Sequence, residues 1–227
     1  MIIVQTAGAT LLLLVAGALG LSWLNTATIQ HLVNVRGKNS SQLWLTKPGL
    51  WLHELSHALL GRLFGMQIAD FSVHDGPQAS SAGHVTLRFR QKSLWQRFGL
   101  FFAGGAPLWV SGTLELITAR YVFWPNVPLA LINQATFSPD WRWALAWLVG
   151  VFLINLGASL SAADIKMMLR GLPVAAVLLF IVALLLWAVA PTLLSQWVAL
   201  NWLLARLIVL LGGIAGGTWL LCRVLYR

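Results

Sequence analysis

The chain has 227 residues, of which 59% are hydrophobic and 9% charged, with 13 tryptophans and a formal net charge of +9. An ordinary soluble domain is about one-quarter charged, so this composition excludes a soluble globular protein, and its apolar content excludes a disordered one. What remains is a polytopic membrane protein. In that setting the 15 Lys plus Arg against 6 Asp plus Glu point to cytoplasmic loops and lipid headgroups rather than to nucleic acid. The single cysteine, Cys222, permits neither an intrachain disulfide nor a cysteine-ligated zinc site.

A spanning helix needs about 20 mainly apolar residues. Runs of that kind lie at 2–24, 43–64, 98–123, 143–161, 172–194 and 197–221. They predict an all-α fold of six transmembrane helices in a single membrane domain, with a core over 43–171 and flanking helices over 1–25 and 172–222. The first run is long and lacks a positively charged leader, so it reads as a retained span rather than a signal peptide. Between the second and third runs, Val85, Leu87 and Phe89 alternate with Thr86, Arg88 and Arg90, the period of a strand with one apolar face. A partner over 68–73, joined through Asp75-Gly76-Pro77, would complete a short β-hairpin at the membrane interface. In the third run, Gly104, Gly105 and Pro107 weaken the helix and would leave room for a substrate or gate its access. In the last run Gly212, Gly213, Gly216 and Gly217 have the spacing of close helix packing, expected within the chain and otherwise between chains. Nine Lys or Arg in the loops of one side against five on the other favour cytoplasmic termini. The expected location is the inner (plasma) membrane of a bacterium.

The informative segment is His53-Glu54-Leu55-Ser56-His57, an HExxH pattern inside an apolar run. Positions four apart share one helix face, so His53 and His57 can turn two imidazoles toward one ion. Glu54 follows about 100° round the helix, where a carboxylate can take a proton from an attacking water. With five histidines in the chain and two glutamates, Glu54 and Glu115, chance supplies about 0.001 such patterns. The competing account is a pair of core histidines hydrogen-bonded between helices, with Glu54 paired to an arginine. It must bury three polar groups within two turns of an apolar span, each at a cost of several kcal/mol unless satisfied.

A catalytic zinc usually takes three protein ligands. With alternating spans, Asp164 follows a run parallel to the HExxH helix and reaches the same leaflet as the histidines, whereas Glu115 lies late in an opposed run. Asp164 is therefore the expected third ligand, its alternative being an interfacial pair with Lys166 or Arg170. Glu115 is expected to pair with Arg120 or Arg206. His74 and His84 are expected to be solvated loop residues.

Taken in order, His53-Glu54-Leu55-Ser56-His57-Ala58-Leu59 with Arg62 and Gly65, then Gly83-His84-Val85-Thr86, then Ala103-Gly104-Gly105-Ala106-Pro107 with Gly112, then Asn155 and Asp164, resemble the site-2 protease family of intramembrane zinc metalloproteases, most closely its short branch. The resemblance covers about half the chain, 50–171. It implies one Zn2+ per chain on His53, His57 and Asp164, Glu54 as the catalytic base, and Asn155 as a donor to the substrate or the developing oxyanion, the alternative for Asn155 being an ordinary interhelical hydrogen bond. Where the family commonly reads Leu-Asp-Gly, this chain has Ala163-Asp164-Ile165, and Gly157, Ser159 and Ser161 stand where prolines are usual.

The expected function is hydrolysis of a peptide bond in or near a transmembrane segment of another membrane protein. The strand with Val85 and Leu87 would hold the extended substrate by edge pairing. Two other classes compete: a non-proteolytic metal-binding relative acting as chaperone or regulator, for which an intact Glu54 would have little use, and a small ion transporter, which would conduct ions in liposomes.

Overall fold

The computed structural model describes residues 2–37, 44–72, 83–125, 127 and 136–226. Its elements are α1 (Ile2–Arg36), a 3-10 turn (Trp44–Thr46), α2 (Lys47–Leu63), β1 (Gln67–Ser72), β2 (His84–Arg88), α3 (Leu94–Gly104), α4 (Ala106–Phe123), α5 (Trp141–Asn155), α6 (Ala162–Val189) and α7 (Pro191–Leu225). His74 and the Asp75-Gly76-Pro77 turn lie outside the described residues.

Among the described residues three helices, α1, α6 and α7, are long and apolar enough to cross a membrane, and α3 with α4 makes a fourth candidate bent by 63°. The structure thus supplies three or four helices of spanning length where six were expected. The shortfall is in α2 and α5, with 17 and 15 residues, about 25 and 22 Å of helix against a hydrocarbon core of about 30 Å. The bend falls at Gly105, whose amide closes the end of α3 on the Phe101 carbonyl (3.3 Å). Pro107 stands in the first turn of α4, where the absent N–H would have lacked a helical partner in any case.

Beyond the Phe64 cap of α2 the chain reverses at Gly65, which has φ +73°. Met66 N donates to the Gly61 carbonyl and Gly65 N to the Arg62 carbonyl, both at 2.9 Å, the double closure that a left-handed residue after a helix permits. The reversal delivers the chain directly into β1, which pairs antiparallel with β2 in the register Ile68↔Leu87 and Phe71↔Val85, with an irregularity between Ile68 and Asp70. The period-two pattern is borne out. Val85 and Leu87 are half-buried while His84, Thr86 and Arg88 are exposed, and a Cβ at Gly61 would lie 2.7 Å from Leu87, so this face of β2 rests on α2.

The main core gathers Ala18, Leu21, Phe101, Leu108, Ala158, Leu160, Met168, Ala175 and Ala215. Small residues let backbones meet around it. A Cβ on Gly157 would run into the Gly49 and Leu50 backbone, so the chain between α5 and α6 crosses the start of α2 at van der Waals contact. By contrast, a Cβ at Gly212, Gly213, Gly216 or Gly217 would meet nothing within 4 Å. Their expected role in packing within the chain is not found, because α7 turns that face away from its neighbours.

These contacts separate two kinds of glycine. Gly157→Val should lower stability by about 1–3 kcal/mol or more, as overpacking against backbone does, while Gly213→Ala should be neutral or mildly stabilising. Thermal unfolding followed by tryptophan fluorescence in detergent compares the two.

Candidate metal centre

His53 and His57 stand one turn apart on α2, both buried. Their ring Nε2 atoms are 3.1 Å apart. Asp164, in the first turn of α6, sets Oδ1 3.1 Å from His57 Nε2 and Oδ2 3.5 Å from His53 Nε2. Ligands about 2.0–2.1 Å from a tetrahedral ion stand about 3.3 Å from one another by trigonometry. Two imidazole nitrogens and one carboxylate therefore already outline a face of such a site, and the buried group could hold a metal ion.

The far sides of the rings reinforce this. His53 Nδ1 faces the Gly157 carbonyl at 3.1 Å and His57 Nδ1 faces the Ala103 carbonyl at 2.7 Å. Carbonyls only accept, so each Nδ1 carries a proton, and a ring that is neutral presents its Nε2 lone pair to the other ring and to the carboxylate. Two such lone pairs 3.1 Å apart call for a shared positive charge, which a proton or a metal ion supplies. The same outer hydrogen bonds orient histidine ligands in metal sites generally, and an N, N, O donor set suits zinc among the common divalent ions.

Asp164 is held independently of any ion. Its Oδ2 accepts from Ser161 N (2.7 Å) and its own amide donates to Ser161 Oγ (3.2 Å), a reciprocal box that caps α6. Asp164 therefore reaches the histidines from the first turn of the next helix, not from the end of the preceding span, and does not pair with Lys166 or Arg170. Gly104 is the counterpart on α3. A Cβ there would strike the Met168 backbone and lie 2.6 Å from the Asp164 carbonyl, so α3 can press on the first turns of α6 and bring the Ala103 carbonyl to His57.

Glu54 is buried and makes no hydrogen bond among the described residues. A Cβ on Gly83 would lie 3.0 Å from Glu54 Oε1, which brings the start of β2 beside this carboxylate. With Leu87 at Gly61, β2 runs along α2 from Glu54 toward the helix end.

The remaining predicted residues fall elsewhere. Asn155 spends both N–H groups inside the chain, on Glu115 Oε1 (3.0 Å) and the Val151 carbonyl (3.1 Å). Glu115 thus meets Asn155 rather than Arg120 or Arg206, because Arg120 turns to the end of α4 and donates to the Trp124 carbonyl. Gly104, Gly105 and Pro107 are all buried. The space at Gly104 is taken by α6, and that at Gly105 by the indole of Trp109. His84 is exposed and hydrogen-bonded to Asp70 (2.7 Å). His31 Nε2 lies 3.0 Å from the Tyr226 carbonyl, and Cys222 is buried. Sequence reasoning missed Ser161, although Ser161-x-x-Asp164 has capping spacing, and it had no signal for the two backbone carbonyls behind the histidines.

Comparison with family models, with curated proteins and with solved structures finds no match. Fold and site together define a mostly helical protein of membrane type with a buried His-His-Asp group that could hold a metal ion.

The site makes graded demands on its residues. The purified chain should bind one equivalent of zinc, and His57→Ala or Asp164→Ala should abolish stoichiometric binding. Ser161→Ala, which leaves all three ligands in place, should weaken affinity by about 10–100-fold. Competition with a chromogenic chelator reads all three.

Proposed function

We propose that this chain is an intramembrane zinc metalloprotease of the site-2 protease type, hydrolysing a peptide bond in or near a transmembrane segment of another membrane protein. The observation that carries it is the pairing of a preformed His53, His57, Asp164 triangle with an adjacent buried carboxylate, Glu54, whose side chain has no hydrogen bond among the described residues. The ordered motifs from His53 to Asp164 support the same family. In this proposal α2 and α5 are the two short passes among six, and the termini face the cytoplasm of a bacterial cell.

Zinc, when bound by the three side chains, would supply Lewis-acid activation of the scissile carbonyl and the attacking water. Glu54 takes the proton released as water attacks and returns it to the leaving amine. Its lack of other partners leaves both oxygens available for that traffic. His53 and His57 keep their Nδ1 protons on the Gly157 and Ala103 carbonyls, so the tautomer that ligates is set before any ion arrives. The substrate helix must unwind first, because its carbonyls are occupied by their own hydrogen bonds. An extended peptide could add to the hairpin edge whose Gly83 end lies beside Glu54. Asn155, with both donors engaged, is not assigned to the oxyanion.

The alternatives make different demands. A metal-binding chaperone gains nothing from an unpartnered Glu54, and an ion path would need flux. Glu54→Gln should reduce cleavage of a co-reconstituted reporter helix by about 10²–10⁴-fold while zinc stoichiometry stays at one. Equal turnover in the variant, or ion flux without cleavage, would sink the proposal. Thr86→Pro should lower cleavage with zinc retained if the hairpin edge holds the peptide.

A further inference from the structure

A second polar cluster lies apart from the metal group, where α1, α4 and α5 converge. Asn25, Ser111, Glu115 and Asn155 line a cavity of about 10 Å³, closed by apolar residues including Leu21 and Leu211. That is space for about one water-sized centre. Glu115 is 3% exposed and Asn25 2% exposed. Asn25 makes no side-chain hydrogen bond among the described residues and lines the cavity with its carboxamide.

The lining is rich in acceptors. Both N–H groups of Asn155 are spent on Glu115 and Val151, and the Ser111 hydroxyl donates to the Pro107 carbonyl. The unspent groups are one Glu115 oxygen, the Asn155 Oδ1, the Ser111 lone pairs and the Asn25 carboxamide, which alone brings donors. No Lys, Arg or His lines the cavity. A proton on Glu115, the two Asn25 N–H groups and one enclosed water would fill these acceptors in separate pairs. A cation serves them together, since oxygen donors of this kind suit hard cations. One carboxylate balances one positive charge, and a divalent ion would leave an excess charge in an apolar interior.

We propose that this cavity is a binding site for one alkali-metal cation of sodium size, with Glu115 supplying the charge and Ser111, Asn25 and Asn155 supplying neutral oxygens. The site is independent of the His53, His57 and Asp164 group in its ligands. It braces the end of α5 two residues before Gly157.

Thermal unfolding of the detergent-solubilised full chain, in sodium chloride against choline chloride at equal ionic strength, tests this. A cation at 100 times its dissociation constant should raise the melting temperature by about 5–10 °C. Glu115→Gln, which keeps an acceptor for Asn155, should lose the sodium-specific shift and leave zinc stoichiometry unchanged. If that variant fails to fold, Asn25→Leu should weaken the apparent sodium affinity at least tenfold. Identical melting in the two salts, or a shift that persists in the variants, would overturn the proposal in favour of a cavity holding water alone. Neither result bears on cleavage by the metal group.

Discussion

Two imidazole nitrogens 3.1 Å apart, with a carboxylate closing the triangle, form an arrangement that is stable only with a proton or a metal ion held among them. Everything around it removes the escape routes. The Nδ1 atoms are turned to carbonyls, the carboxylate is locked in a helix cap, and the rings are buried. Relaxing any one of them would expose a polar group to an apolar interior, where it would cost several kcal/mol. The cluster is therefore preorganised for a cation, and the surrounding fold can be read as the means of holding three strands of backbone close enough to do it.

Those three strands come from α2, from the end of α3, and from the passage between α5 and α6. Their approach depends on missing side chains. Gly49 against Gly157 lets the loop carbonyl reach His53, and Gly104 against the first turns of α6 lets the Ala103 carbonyl reach His57. The break at Gly105 belongs to the same device. It ends α3 where α6 needs contact and frees α4 to leave at 63°. Residues that look like helix weakness in isolation are here sites of tight packing, which is why no open space surrounds them.

Scarcity of charge makes the placement of each acid informative. Asp164 completes the His-His-Asp group beside Glu54, Asp140 caps α5 through the Arg142 amide, and Asp70 lies exposed on the hairpin beside His84. Glu115 departs from expectation because its apparent arginine partner serves the end of its own helix instead. Five residues separate Glu115 from Arg120, a spacing that puts them on different faces, so a nearby opposite charge in sequence was no guide to contact in space.

How much could be read in advance follows the range of the interactions. The HExxH pair, the helix end at Gly65 and the alternating strand at Val85 and Leu87 are set by contacts within a few residues, and side-chain periodicity determined them from the sequence alone. Asp164 was legible as the partner of the two histidines, but its route was not. The sequence does not show that a helix begins at Ala162 rather than after 171, because capping and apolar content favour different boundaries there. The shortness of α2 and α5, the carbonyls behind each histidine, the Asn155–Glu115 bond and the Gly49–Gly157 crossing were decided only by tertiary structure. Each joins groups tens of residues apart, and no local propensity encodes a distance that depends on how whole helices pack.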